Sequence, residues 1–397
     1  MFDLIQLDQS LMDLLVSKSK LNKDLPVGVD GLTQQKFVKF KEFHLKEIHR
    51  GLQKSVSSKY EYTFGVLYQL ARVKKSGGYR YLYVPRIRDQ IVFKAMLDAI
   101  KMQLEKSLRL TSISPRNAVI QFHSFVAKFN DPWILRTDIS DYYNSIDRGI
   151  LLSELKEVEG LKPELLTLLK SWFSNINYRD AVTNKVKSMK TGLPQGVSLS
   201  SILAEFYLTS IDKQIGGGYF RYVDDIILVA ENRNQASMAL RRLNALMDDK
   251  NLHLSKPKTK IAPLAAGVEW VGLVHYPKKI RASELKYLEW RKGLIRVLKK
   301  VRSEFPKSSI CWEDSSQMKS VILSTVNDFI RGENNRRLLW FQLIEDEGQW
   351  NELDAFVHGQ IKFLFKFYGL QILEDDRLPS IKLYLSRIKR MKPPIAD

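Results

Sequence analysis

The chain has 397 residues, enough for about two or three domains, and its 44% hydrophobic content is ordinary for a globular protein with a sizeable core. Sixty-three Lys and Arg face 44 Asp and Glu, a formal charge of +19 with a pI near 9.7. A field of that sign favours polyanions, nucleic acid first among them, with a solvated basic surface or a membrane surface as the other readings of charge alone.

Cys311 is the single cysteine, which excludes an intramolecular disulfide and fits a reducing cytosol. The six histidines (His44, His49, His123, His253, His275, His358) make no Cys/His zinc spacing, so any metal here is expected on oxygen ligands. Residues 1–15, MFDLIQLDQSLMDLL, mix acids with apolar residues and read as an amphipathic helix rather than a signal peptide. No apolar run approaches a membrane-spanning length, so a soluble, cytoplasmic protein is expected.

Residues 1–60 read as helical, with a Lys-rich segment at 36–54. Residues 61–135 mix a β-like run at Tyr79–Val84 with a helical one at 91–104, after a turn at Gly77-Gly78. The stretch 133–275 alternates strands and helices, and beyond Pro277 the pattern is almost wholly helical, with turn signals at 306–309 and Gly332. This predicts an N-terminal helical extension (1–60), an α+β body (61–275) and a helical C-terminal domain (276–397).

Two acidic sites stand out. In WILRTDISDYYNSI (133–146) a β-prone run ends at Asp138, where a buried strand can present an acid to a cleft. In YFRYVDDIILVA (219–230) two β-prone runs flank Asp224-Asp225, which reads as a hairpin with both acids at its tip. Adjacent like charges between apolar strands are unfavourable unless cations neutralise them, although an isolated pair also fits an exposed turn. Together the three acids supply the ligand set for two divalent ions about 3.5–4 Å apart, the arrangement of nucleotidyl transfer. Mg²⁺ suits such oxygen ligands.

YVDD at 222–225 and DISDYY at 138–143 resemble the palm motifs of reverse transcriptases. Further motifs follow in the family's order. Gly192-Leu193-Pro194-Gln195-Gly196 resembles the loop under the incoming nucleotide, and a helix with apolar Leu199, Ile202, Leu203, Phe206 and Tyr207 on one face follows it. LSKPKT (254–259) resembles the segment whose lysine lies near the nucleotide phosphates, and WVGLVHY (270–276) the hairpin that grips the primer end. GGYRYLYVPRIRDQIVFKAM (77–96) is similar to the fingers motifs of the bacterial enzymes.

The resemblance implies a right-hand α+β polymerase, with fingers and palm followed by an all-helical thumb. It implies two Mg²⁺ ions, replaceable by Mn²⁺, on Asp138, Ile139, Asp224 and Asp225, with Asp138 and Asp224 as main ligands. It places Arg80, Lys75 and Lys258 at the triphosphate, Gln195 at the sugar, and Tyr143 where a bulky ring excludes a ribose 2′-OH. The thumb is placed by position, and in 292–301 Lys292, Arg296, Lys299 and Lys300 share a helical face suited to a nucleic-acid backbone, opposite Leu294, Leu298 and Val301. A solvated face explains those cations equally well.

Within the family the likeness is to stand-alone bacterial enzymes of phage defence and abortive infection. Asn117-Ala118 to His123 is a longer spacing than the retron signature has, and no Val-Thr-Gly signature is found in the thumb. The likeness implies an RNA template, a noncoding RNA among the candidates, with dNTPs as substrates and DNA as product. Template-independent or protein-primed synthesis is the same-class alternative. A silent RNA-binding scaffold is the alternative from another class, and it has no need of three acids in a basic cleft.

Overall fold

The computed structural model describes residues 2–19, 24–57, 62–74, 77–104, 115–306, 315–332, 341–373 and 376–381. The elements begin with helices α1 (Leu4–Ser19), α2 (Gln34–Lys39) and α3 (Lys41–Ser57), strands β1 (Leu67–Val73) and β2 (Tyr79–Val84), and helices α4 (Ile87–Leu104) and α5 (Pro115–Val126). Strand β3 (Trp133–Asp138) leads to α6 (Tyr142–Ser145), α7 (Arg148–Lys156), α8 (Pro163–Ser174), β4 (Asn177–Arg179), β5 (Val186–Ser188), α9 (Ser198–Tyr207) and α10 (Thr209–Ile215). The hairpin β6 (Tyr219–Tyr222) and β7 (Asp225–Ala230) precedes α11 (Arg233–Asp248), β8 (Lys260–Pro263), β9 (Val268–Trp270), β10 (Leu273–Tyr276) and β11 (Lys279–Ala282). Helices α12 (Glu284–Glu304), α13 (Ser315–Arg331) and α14 (Glu347–Tyr368) complete an α+β fold.

The chain forms two compact units built from interleaved segments. The first comprises Met1–Ser112, Thr137–Tyr219 and Met238–Thr259; the second comprises Ile113–Arg136, Phe220–Ser237 and Lys260–Asp397.

In the first unit α4 buries Ile87, Ile91, Val92, Phe93, Met96 and Ile100 on a broad apolar face, with Asp98 and Lys101 left exposed on its other side. Helix α1 packs on it, burying Leu7 and Leu11 at helical spacing. Helix α3 buries Leu45, Ile48 and Leu52, again one helical face. Asp89 is the one acid that α4 buries, and its carboxylate accepts from Arg86 Nε (2.9 Å) and the Gly65 N–H (3.0 Å). Strands run β2-β1-β4-β5, and the antiparallel β1–β2 pair sets Arg72 opposite Arg80 beyond Gly77 and Gly78, both at positive φ.

The second unit carries two sheets, β6-β7-β3-β8 and β11-β10-β9. Its core runs from α5 (Phe122, Val126) through Trp270 and Leu273 to Trp290, Leu294 and Leu298 of α12, Ile322 and Val326 of α13, and Leu353, Val357 and Ile361 of α14. Strand β11 departs from the expected change to helix after Pro277. Ile280 and Ala282 point inward, and the strand is tied to α14 by Gln349, whose Oε1 accepts from Ala282 N–H (2.8 Å) while its Nε2 donates to Ala282 O (3.2 Å). Asp346 caps α14 at Gly348 and Gln349 and pairs with Lys279 (2.9 Å) and Arg281 (2.7 Å). The strand itself is set by its antiparallel pairing with β10, Leu273 opposite Ala282 and Tyr276 opposite Lys279, and four residues are too short to show a period of two in the sequence.

Among the described residues, no helix is long and apolar enough to cross a membrane.

A histidine pair links α5 to β10. His275 is fully buried, and its Nε2 can only donate to the Trp270 carbonyl (3.1 Å). Its Nδ1 is then the acceptor, so His123 Nε2–H donates across the 2.8 Å contact. Burial holds both rings neutral, lowering His123 to about 4 and His275 to about 3, with His123 and Arg136 adding like-charge pressure on His275. Because the folded values lie below the ordinary histidine value, this contribution to stability is complete above pH 6.5 and is lost as pH falls toward 3. His275 alone should cost about 2 kcal/mol at pH 5 relative to pH 7. Urea unfolding at the two pH values checks this, and a His275→Leu variant should show a distinctly flatter dependence.

Candidate active site

Strand β3 buries Ile134 and Leu135, and Asp138 ends it with an 18% exposed side chain. The segment that includes LSKPKT runs alongside. Ile139 bridges Leu254, Ser140 N–H donates to His253 O (2.8 Å), and Ser255 N–H donates to Asp138 O (2.7 Å). A short 3₁₀ turn at Lys256–Lys258 then aims Lys258 at Asp138, with Nζ 2.9 Å from Oδ2. Of Lys256 and Lys258, Lys258 is the one paired with the acid. The side chain of Ile139 is buried and apolar, which restricts any metal contact to its backbone carbonyl.

The expected hairpin is present, with one refinement. Its two-residue turn is Val223-Asp224, so Asp224 sits at the tip while Asp225 is the first residue of β7. Val223 adopts φ 58°, a left-handed conformation costly for a β-branched residue, on the order of 1–3 kcal/mol. Arg221, buried, donates from Nη1 to Val223 O (3.0 Å) and supports the turn. Asp225 pairs with Arg136 (Nε to Oδ1, 3.3 Å), and Trp270 Nε1 donates to the Asp225 carbonyl (3.3 Å). Arg136 was not among the expected site residues, although it was visible as the only cation of its strand, directly after the apolar run Trp133–Leu135. Among the described residues, no group of three or more His, Cys, Asp or Glu is gathered as a metal cluster.

The loop 191–196 is held by backbone. Gly192 has φ 79°, and a Cβ there would lie 2.5 Å from the Tyr143 carbonyl, so only glycine fits. Leu193 N–H donates to Tyr143 O (2.7 Å), Gly192 N–H to Ile146 O (3.0 Å), and Tyr83 N–H to Gln195 O (2.7 Å). Gln195 is half-buried. Tyr142 is the core aromatic of its pair, its hydroxyl donating to Ala204 O, whereas Tyr143 is half-exposed.

Arg148 is a second residue that sequence reasoning missed. Its guanidinium donates to four carbonyls: Gly192 (2.7 Å), Phe173 (2.7 Å), Met189 (2.9 Å) and Thr191 (3.1 Å). Burial lowers it to about 10, which leaves it charged at neutral pH. Nothing in the local sequence marks it, because its partners lie 25–44 residues away.

Arg80 is exposed on β2, and Lys75 lies outside the described residues. In α12, Lys292, Arg296, Lys299 and Lys300 are all exposed, while Leu294, Leu298 and Val301 are buried. Two other cations of that helix are used internally, with Arg291 over the Phe356 ring (4.3 Å) and Arg302 over Phe367 (4.2 Å).

The sequence model of the family described as "Reverse transcriptase (RNA-dependent DNA polymerase)" matches residues 73–288, more than half of the chain. The chain belongs to the reverse transcriptase family. It is 24% identical over 248 residues to the retron Ec86 reverse transcriptase of Escherichia coli, covering 58% of this chain and 70% of that protein. It is 21% identical over 260 residues to Protein YkfC of E. coli K12 (54% and 67% covered), and 26% identical over 151 residues to the putative COX1/OXI3 intron 2 protein of Saccharomyces cerevisiae (36% and 17%). This reverse transcriptase chain thus spans a small part of the yeast relative's length. Solved structures similar to it include telomerase from Candida albicans in complex with a fragment of telomeric RNA (12% identity, TM-score 0.43, 91% of this chain and 69% of that one) and truncated apo telomerase from Candida tropicalis (15%, 0.42, 55% and 55%).

Arg148→Ala leaves four carbonyls without their donor and should destabilise the fold by about 2–4 kcal/mol. Arg148→Lys keeps the charge, yet its single ammonium cannot reach four divergent acceptors, so it should recover only part of that loss. Chemical denaturation of the two variants measures both.

Proposed function

We propose that this chain copies an RNA template into DNA by two-metal nucleotidyl transfer. The observation that carries the reading is the family match over residues 73–288, which includes Asp138 at the end of β3 and Asp224-Asp225 at the turn of the β6–β7 hairpin. The donor set of Asp138, Asp224 and Asp225 is all oxygen and fits Mg²⁺ or Mn²⁺. Such ions, when bound, polarise the attacking 3′-oxygen and the leaving phosphate.

The chain's own residues do the rest in this reading. Asp138, Asp224 and Asp225 would hold the metals, with Arg136 supporting Asp225, while Lys258, now on Asp138, would join Arg80 and Lys75 at the triphosphate oxygens. Gln195, fixed through its backbone on β2, lies against the sugar, and the half-exposed ring of Tyr143 occupies the space of a 2′-OH. The exposed cations Lys292, Arg296, Lys299 and Lys300 bind the template–product backbone, α12 to α14 forming the thumb. An antiphage role with a noncoding RNA template extends the reading on motif likeness alone.

Asp224→Asn with Asp225→Asn should abolish dNTP incorporation, by more than a thousandfold, while the thermal melt moves little, since both acids lie partly exposed and Asn keeps their size and hydrogen-bonding oxygen, the partly exposed Arg136–Asp225 pair being worth about 1 kcal/mol. Incorporation at the wild-type rate in the double variant would reject the metal assignment. Omitting and restoring RNA template in the same assay separates copying from untemplated or protein-primed addition.

Tyr143→Ala should raise the acceptance of rNTPs relative to dNTPs with little change in melting temperature. A core ring would instead cost about 3–5 kcal/mol on truncation. Unchanged sugar preference in a well-folded variant would exclude the ring as the gate.

A further inference from the structure

Helices α2 and α3 lie outside residues 73–288 and take no part in the reading above. Their junction exposes Phe40 (55%) and Phe43 (60%), with Val38 (44%) beside them. Single exposed apolar residues are commonplace, but two large aromatics three residues apart, set among cations, are not.

Neither ring is loosely placed. Phe43 meets the His44 ring edge-on at 5.5 Å, and His44 stacks on buried Phe37 at 4.6 Å and contacts Arg88 Nη2 through Nδ1 at 2.8 Å. Lys39 Nζ lies 5.6 Å from the Phe40 ring centroid. Phe43, Lys46 and Arg50 follow at i, i+3 and i+7 on one face of α3, all exposed, and Lys36 is exposed one turn before Phe40. Seven residues of helix span about 10 Å, a distance that one to two nucleotides of a single strand can bridge.

We propose that this α2–α3 corner is a docking platform for single-stranded nucleic acid, with Phe40 and Phe43 as stacking surfaces for bases and Lys39, Lys46 and Arg50 as phosphate partners. Rings interleaved with cations are the chemistry that holds single strands without regard to sequence, since every base has a π-face and every linkage a charge. A protein partner fits less well, because lysine is depleted in protein interfaces and here it surrounds the rings. An anionic membrane fits less well too, because Glu42 is exposed on the same turn as Phe43, and half-buried Glu47, one turn on, pairs with Arg50.

The test is fluorescence anisotropy of the full chain without nucleotides, so it stands whether or not the chain polymerises. The probes are labelled U12 RNA, dT12 DNA and a blunt RNA duplex. Phe40→Ala with Phe43→Ala should weaken single-strand binding by about tenfold or more and leave duplex binding within about twofold. Phe43→Trp on the Phe40 wild-type background should retain or tighten it. Lys39→Gln with Lys46→Gln should flatten the dependence of log K on log salt by about 1.4, the value for two phosphates on a single strand. The larger loss, for U12 or for dT12, identifies which strand the platform serves. Equal losses on single strand and duplex, or no loss in a variant whose melt is unchanged, overturn the proposal. So does a loss of binding to phosphatidylserine vesicles with oligonucleotide affinity intact, which would give the face to a membrane.

Discussion

Carboxylates at the ends of apolar strands need a counter-charge, and much of the arrangement around Asp138 and Asp225 follows from that need. Each acid carries its own cation: Lys258 on Asp138, delivered by a short 3₁₀ turn, and Arg136 on Asp225, delivered from within β3. A lysine reaches its acid as a mobile point charge, whereas the arginine fork is fixed by the strand that bears it. The two acids are therefore restrained differently.

In the loop 191–196 the chain uses backbone where side chains would be too large. Gly192 approaches the Tyr143 carbonyl so closely that no Cβ could stand there, and four carbonyls converge on Arg148. The strained φ of Val223 belongs to the same pattern, since the turn that presents Asp224 is supported by buried Arg221 and by β7 beside it. Precision at such a site comes from groups that never touch a substrate.

The strands and helices with strong local patterns were legible in the sequence. Tyr79–Val84 reads as a strand because β-branched and aromatic residues crowd it, and the α12 face reads as amphipathic because Leu294, Leu298 and Val301 recur at helical spacing. The acids were legible because like charges are rarely set between apolar runs. Strand β11 was not, being four residues too short to show alternation, which become a strand by pairing with β10 and are tied to α14 by Gln349. Arg148 was not, because a guanidinium serving distant carbonyls leaves no mark on its neighbours in sequence. Tyr142 and Tyr143 look alike in the sequence, and only the Ala204 carbonyl marks Tyr142 as the core ring.

The interleaving of the two units has a consequence in time. His123 meets His275 across 152 residues, and Phe122 shares a core with Phe365 at the far end of α14. A ribosome adding roughly 5–20 residues per second needs about 8–30 s to supply the histidine partner. Until then the apolar face of α5 and the inner strand β3 lie open, while α1, α3 and α4, encoded early, can already close on one another. Nascent chains of this protein should therefore carry a half-built second unit through most of synthesis, with the edges of β3 uncovered and in need of protection from their neighbours.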